Sequence, residues 1–196
     1  MHDEQINFCQ ETKKKFPHFF KNKRVLDVGS LNVNGTNERY FDNCEYIGID
    51  VAPGPNVDVV TLGHLYDPDE LFDTIISSEC FEHDMYYEKT FQNIIKILKP
   101  GGLFLFTCAA PGRDEHGTAR TRPEDSPLTS TVLSQFPYFE KWSNYYRNIS
   151  KKDLNKALDL KKIFSKYYVD EHHEILIDPV RQINDLYFWG IKKHKK

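Results

Sequence analysis

The chain has 196 residues, which is enough for one domain with a complete hydrophobic core. Hydrophobic residues make up 39% and charged residues 28%, an ordinary globular balance. A formal charge of −3 gives no general reason to expect nucleic-acid binding, and no apolar run approaches the ~20 residues of a membrane span.

The cysteines lie at positions 9, 44, 80 and 108, without the C-x-x-C spacing of a metal or redox site. They are predicted to be buried thiols of a reducing compartment. The N-terminal residues Met1–Glu4 do not form a signal-peptide pattern. We therefore expect a cytoplasmic protein that binds neither nucleic acid nor membrane, and the oligomeric state stays open.

The first predicted element is a helix over residues 3–20, with Cys9 and Phe16 on its apolar stripe and Pro17 interrupting it. Such a helix could cap a ligand cleft, but packing against the core is the favoured interpretation.

The next stretch has the plan of a nucleotide-binding α/β half. A short apolar strand, residues 24–29, leads into the turn-rich run 30–35, and a second strand over residues 46–50 ends at Asp50. Gly29 lets the backbone come close to a ligand. The carboxylate of Asp50 sits where it can hold a ribose diol by two hydrogen bonds.

The spacing of the loop distinguishes two ligand classes. The G-x-G-x-x-G pattern of nicotinamide enzymes is absent, because its second and third glycines would fall at Leu31 and Asn34. The Asp27-x-Gly29 pair suits a zwitterionic ligand, whose amino-acid end an acid can hold. Over about residues 22–109 the sequence resembles class I S-adenosylmethionine-dependent methyltransferases, although their later loop glycines are replaced here.

Two further motifs carry the resemblance. Strand three is predicted at residues 57–60 and strand four at 72–78, followed by S-E-x-x-E-H at residues 78–83. This signature resembles one large methyltransferase branch. It differs from the Asn-Pro-Pro-Tyr type of motif expected for amino-group methylation of adenine or glutamine, and Cys80 is predicted to be a core thiol rather than a nucleophile. L-K-P-G-G at residues 98–102 is a specific companion motif.

The remaining predicted elements complete an α/β sheet. A helix over residues 87–98 precedes strand five at 103–107, and Ser150 caps a helix that runs to about residue 158. Strands follow near residues 164–169 and within 183–193. His172 and His173 fall in the connection between them and point to opposite sides, so no metal site is expected.

The resemblance implies a Rossmann-like class I methyltransferase fold in one domain over residues 1–196. Its seven-stranded mixed sheet carries helices on both faces, and its last strand is antiparallel. The implied cofactor is S-adenosyl-L-methionine. The cofactor-binding residues implied are Asp27, Gly29, Ser30, Gly35, Asp50, Val51, Leu62, Gly63, Ser78 and Glu79.

Residues 110–147 exceed the usual connection length and are predicted to form a substrate lid, since long loops are often functional. A structural flap over apolar surface is the alternative. The substrate-binding candidates on this segment are Arg113, Arg120, Arg122, Tyr138, Trp142 and Tyr146.

The predicted reaction is O-methylation of a small hydroxylated metabolite that carries a phosphate or carboxylate. Arginines hold anions through forked hydrogen bonds, and neutral His116 or His83 can remove a hydroxyl proton. The arginines could instead pair with neighbouring acids on the surface. N-methylation of a small amine remains open, as does a catalytically silent cofactor-binding module that works through a partner.

Overall fold

The protein is described here by a computed structural model that covers residues 3–177 and 180–194. The helices are α1 (Asp3–Lys15), α2 (Tyr87–Ile97), α3 (Lys151–Ala157) and α4 (Leu160–Ile163). The strands are β1 (Arg24–Val28), β2 (Glu45–Asp50), β3 (Val59–Val60), β4 (Phe72–Ser78), β5 (Leu98–Ala109), β6 (Phe164–Ile177) and β7 (Val180–Lys192). None of the described helices is both long and apolar enough to cross a membrane.

The strands form one sheet in the order β3-β2-β1-β4-β5-β7-β6. The first five run parallel to one another, whereas β7 is antiparallel to both β5 and β6. This confirms the predicted seven-stranded mixed sheet with an antiparallel last strand. The strand order reverses between β1 and β4, and open α/β sheets bind ligands at the carboxyl ends of the strands beside such a reversal.

Alternating side chains of β5 separate the core into two layers. Leu103 and Leu105 face the layer that contains α1, whereas Phe104 and Phe106 face the layer that contains α2, α3 and α4. All four are fully buried, because successive side chains of a strand point to opposite faces and helices cover both faces here. Helices on both faces were predicted and are confirmed.

Local chemistry explains where two of the helices begin or end. The predicted helix over residues 3–20 stops at Lys15, and a short 3-10 helix, Pro17–Phe19, follows it. Pro17 fits the start of that turn because it has no backbone N–H to donate. At α3, Ser150 Oγ accepts a hydrogen bond from the N–H of Asp153, whose carboxylate accepts the N–H of Ser150. This capping box confirms Ser150 as the helix start.

The last two strands are longer than predicted. His172 and His173, expected in the connection, lie within β6 and pair with Asp185 and Asn184 of β7. Antiparallel backbone hydrogen bonds hold this polar stretch in the sheet regardless of its side chains. The pairing brings Asp185 next to the edge where the cleft opens.

Candidate active site

A cleft opens at the carboxyl edge of the parallel strands, beside the reversal between β1 and β4. Many of the sequence-predicted cofactor residues line it. Those residues are Asp27, Gly29, Ser30, Gly35, Asp50, Val51, Gly63, Ser78 and Glu79. The parallel topology brings them together, because every parallel strand delivers its last residues to the same edge.

Asp27 lies at the bottom of the cleft with only 2% of its surface exposed. Its carboxylate accepts hydrogen bonds from Tyr46 Oη at 2.6 Å and Asn37 Nδ2 at 3.1 Å. Burial raises the pKa of Asp27 to about 7, although these two hydrogen bonds oppose the shift. A cation bound nearby would favour the ionised form. Asn37 also lines the cleft, and neither partner carried a motif that would have identified it.

Gly29 makes the close approach between the first loop and the turn after β4. Its φ is +78°, and a Cβ at this position would lie 2.5 Å from Cys80 Sγ. A side chain is therefore excluded by both backbone conformation and space. The N–H groups of Gly29 and Ser30 both donate to the carbonyl of Ile49 at the end of β2. The loop is thus fixed to the strand that carries Asp50.

Asp50 ends β2 and faces the cleft with two backbone partners already in place. Its Oδ1 accepts the N–H of Val51 at 2.7 Å, and its Oδ2 accepts the N–H of Leu31 at 3.1 Å. Burial raises the pKa of this carboxyl group, and both hydrogen bonds counteract the rise. Since a carboxylate offers about four lone-pair positions, both oxygens retain capacity for a further donor.

The far end of the cleft is lined by Thr61 and Gly63. Leu62, predicted to contact the cofactor with Gly63, uses its carbonyl to accept the N–H of Leu65 at 2.8 Å in a turn. Thr61 is a lining residue that the sequence analysis missed. Its position directly after β3 is the signal that could have identified it.

Two histidines line the opposite part of the cleft. The ring centres of His83 and His116 are 5.3 Å apart, and the ring of Tyr146 lies 5.6 Å and 5.0 Å from them, respectively. The Nδ1 of His116 lies 3.1 Å from the carbonyl of Asp114. Burial is the main cause that lowers the pKa of His83 to about 3, and the neighbouring imidazole of His116 adds to the shift. Burial also lowers the pKa of His116, so burial favours the neutral form of both rings.

Glu82 is the neighbour of His83 and was not among the predicted site residues. Both lie in a 3-10 turn, Phe81–His83, that follows β4. Glu82 is fully buried, and its Oε1 accepts the N–H of Ala109 at 3.1 Å. Burial raises the pKa of its carboxyl group well above the usual range, and the charge of Glu79 adds to the shift. Glu82 is the second glutamate of the S-E-x-x-E-H motif, and that position is the signal that could have identified it.

Arg113 is held between two carboxylates. Its Nη1 lies 2.5 Å from Asp185 Oδ1, and its Nη2 lies 3.4 Å from Glu79 Oε2. Gln5 Nε2 also donates to Glu79 Oε1 at 2.5 Å. Glu79 itself has a φ of +53°, an uncommon conformation for a residue other than glycine. The guanidinium lines the cleft, but its charge is matched by protein acids.

The other two arginines pair with acids from their own segment. Arg120 forms two hydrogen bonds of 2.6 Å with Glu115, and its side chain is 60% exposed. Arg122 lines the cleft and lies 3.5 Å from Asp125, which lines it as well. The surface pairing that the sequence left open is therefore present for both residues.

Part of the segment 110–147 lines the cleft. Leu128, Thr129 and Trp142 line it, and each is less than 10% exposed. They belong to short helical turns over Leu128–Val132 and Pro137–Trp142. The side chain of Tyr138, another predicted substrate residue, lies outside the described part of the structure.

A sequence model of a methyltransferase domain matches residues 2–163. No curated protein matches the chain. Among solved structures, the chain is similar to the 1,6-didemethyltoxoflavin N1-methyltransferase of Burkholderia thailandensis, with 14% identity and a TM-score of 0.59 over 95% of this chain and 79% of that one. That structure contains 1,6-didemethyltoxoflavin and S-adenosylhomocysteine.

Two further structures share the fold. The N-methyltransferase NodS of Bradyrhizobium japonicum WM9 is 14% identical, with a TM-score of 0.54 over 96% of this chain and 98% of that one. Phosphoethanolamine N-methyltransferase 2 of Haemonchus contortus, in complex with S-adenosyl-L-methionine, is 16% identical, with a TM-score of 0.63 over 96% of this chain and 53% of that one.

Proposed function

The chain belongs to the class I S-adenosylmethionine-dependent methyltransferases, and we propose that it methylates a hydroxyl group of a small polar metabolite. The observation that carries the proposal is the presence of two neutral imidazoles in the same cleft as the strand-end carboxylates. The carboxylates suit the methyl donor, and the imidazoles suit an acceptor that must lose a proton.

The cleft residues fit S-adenosylmethionine by the chemistry of their donor and acceptor groups. Asp27 offers a carboxylate to the ammonium group of the methionine part, and Gly29 lines the cleft beside it. Asp50 offers free lone pairs to the ribose diol, and Gly63 lies where the adenine belongs. We assign the remaining lining residues, Ser30, Gly35, Val51, Ser78 and Glu79, to the same cofactor site.

The cofactor supplies an electrophilic methyl group, so the chain need not form a covalent intermediate. Its residues must hold the acceptor in line with that group and exclude competing water. His116 is suited to accept the acceptor's proton. If its Nδ1–H donates to the carbonyl of Asp114, its Nε2 carries the lone pair. His83 lies beside it at the same edge and is the second candidate for this role.

An anionic group on the acceptor has weaker support than the hydroxyl. Arg113 is already matched by Asp185 and Glu79, and Arg120 is exposed and paired with Glu115. Arg122 is the better partner for a substrate anion, because its pair is long and half exposed. We propose that Arg122 and the apolar ring of Trp142 contact the acceptor.

A small amine is the second candidate acceptor. The three structures named above are N-methyltransferases by their names. The carboxylate of Asp84, which also lines the cleft, offers an acceptor to a protonated amine. Such an amine must lose a proton before it can attack the methyl group, and an imidazole can accept that proton, whereas an amine that binds uncharged needs no base.

We also propose that residues 110–147 act as a lid within a single domain. Support comes from Leu128, Thr129 and Trp142, which line the cleft from the outside although they lie far from the strand ends in the sequence. Closing such a segment over the acceptor would shield the reacting atoms from water.

The test is a turnover assay with matched acceptors. Each set shares one carbon skeleton that carries a hydroxyl, a primary amine or a methyl-blocked hydroxyl, with and without a carboxylate. Release of S-adenosylhomocysteine is the readout. We expect turnover of the hydroxyl compounds, and Arg122→Ala should raise KM for the carboxylate-bearing members alone. Turnover confined to amines would replace the proposal with the second candidate.

A further inference from the structure

Three buried side chains converge at the acceptor end of the cleft. Glu82, His83 and His116 each offer one nitrogen or oxygen atom, and these atoms all lie within 4.8 Å of one another. None of the three side chains is more than 7% exposed. His83 and His116 line the cleft, so the cluster can be reached from it.

Two atoms of these side chains are buried without a hydrogen-bond partner among the described residues. They are Oε2 of Glu82 and Nδ1 of His83. Leaving a buried polar atom unpaired is costly, and native proteins rarely do so without a reason. A positively charged ligand between the three side chains would satisfy both atoms.

His116 is also oriented as a ligand would be. Its Nδ1 lies 3.1 Å from the carbonyl of Asp114, which fixes the ring and directs Nε2 toward the acidic part of the cleft. That Nε2 lies 3.9 Å from Oε2 of Glu79. Histidines that bind metals usually donate their other ring N–H to a carbonyl or carboxylate in this way.

We propose that Glu82, His83 and His116 form a binding site for a divalent transition-metal cation of the Mn²⁺ to Zn²⁺ series. Imidazole nitrogen with carboxylate oxygen is a donor set that these cations accept, whereas Mg²⁺ and Ca²⁺ prefer oxygen alone. Three protein ligands leave coordination positions open toward the cleft. The sequence predicted no metal site, and that expectation was argued only for His172 and His173.

This inference rests on the proposed function and refines it. A hydroxyl group bound at an open position gives its proton to water more readily than a free hydroxyl, because the cation stabilises the pair of electrons left on oxygen. The O–H bond breaks, the proton leaves with water, and the oxygen stays bound to the cation. The imidazoles then act as ligands rather than as the proton acceptor.

The test measures metal binding directly. Untagged protein is stripped with a chelator, titrated with MnCl₂ or ZnCl₂ alone, and analysed for retained metal after gel filtration. We expect one equivalent on the wild-type protein and a rise in its Tm. Glu82→Gln and His116→Gln should weaken binding by at least about tenfold, since even loss of a supporting residue around a metal site costs ~10–100-fold.

His172→Gln is the matched control, because His172 pairs with Glu174 in β6 and does not line the cleft. It should bind metal as the wild-type protein does. The inference is overturned if the stripped wild-type protein retains no metal, or if metal binding is lost in His172→Gln and kept in Glu82→Gln. If circular dichroism shows that His116→Gln does not fold, two other measurements test the site. Glu82→Gln preserves the shape of the side chain, and the absorption spectrum of Co²⁺ bound to the wild-type protein reports nitrogen ligands.

The two proposals fail separately. Hydroxyl turnover by protein shown to contain no metal would overturn the cation's part in proton removal and leave O-methylation with an imidazole base. Tight metal binding without turnover of any hydroxylated acceptor would overturn the acceptor class and leave the metal site.

Discussion

The ribose contact of Asp50 gives the sharpest quantitative prediction. In Asp50→Ala the cofactor loses two hydrogen bonds to a charged acceptor, each worth ~1.5–3 kcal/mol. The N–H groups of Leu31 and Val51 also lose their acceptor. The free and the bound protein both lack that acceptor. The second loss therefore lowers the free energy of unfolding and leaves the free energy of binding unchanged. Because water replaces part of the lost contact, we expect a loss of binding free energy of at least ~1.5 kcal/mol, which corresponds to about a tenfold higher Kd.

Calorimetric titration with S-adenosylhomocysteine measures this change without requiring an acceptor. Asp58→Ala is the matched control. Asp58 accepts the N–H of Gly48 at 2.7 Å, so its removal also deprives a backbone N–H of β2 of a carboxylate. Asp58 does not line the cleft. We therefore expect Asp58→Ala to lose stability and to keep the wild-type Kd.

Two results would refute the assignment. If folded Asp50→Ala binds S-adenosylhomocysteine as tightly as the wild-type protein, the ribose lies elsewhere in the cleft. If both variants weaken binding equally, the effect comes from loosening of β2 and the diol contact has no support.

Three further predictions use other parts of the structure. Arg113→Ala should destabilise the protein by ~3–5 kcal/mol in urea unfolding, because it removes the counter-ion of a fully buried carboxylate. Arg120→Ala should change stability by less than ~0.5 kcal/mol, and equal losses would contradict the pairing. Hydrogen exchange within residues 110–147 should slow when cofactor and acceptor are bound, and equal protection with and without ligands would identify a fixed flap. Trp142→Phe should abolish any ligand-dependent tryptophan fluorescence change and Trp189→Phe should keep it, since Trp142 alone of the two lines the cleft; the reverse would remove Trp142 from the site.

The sheet was predictable from the sequence because buried strands are visible there as short apolar runs. The stretch over residues 103–106 is apolar throughout, and the structure buries it on both faces. The end of β6 was not predictable in this way. Residues 170–174 are polar and read as a connection, but antiparallel pairing with β7 keeps them in a strand. Backbone pairing of an edge strand leaves little trace in side-chain composition.

The cofactor side of the cleft was more accessible to sequence reasoning than its supporting residues. Asp27 and Asp50 end neighbouring parallel strands, and that topology alone brings both to the same edge. The residues that hold Asp27 come from elsewhere, Asn37 from a turn after the loop and Tyr46 from the start of β2. Their polar atoms meet one carboxylate only after the chain has folded, and no spacing rule encodes such a meeting.

Charge assignments on the acceptor side depend on contacts that are distant in sequence. Arg113 looked available because its nearest acids lie on exposed loop positions, yet its strongest partner is Asp185 of β7. Once Arg113 is matched, Arg122 is the other arginine that lines the cleft, and the buried Glu82 and His83 come from the motif after β4. One oxygen of Glu82 is buried without a partner beside two imidazoles, and such a site favours a cation over an uncharged ligand. We therefore expect the acceptor to be recognised first by an oxygen atom and only second by its charge.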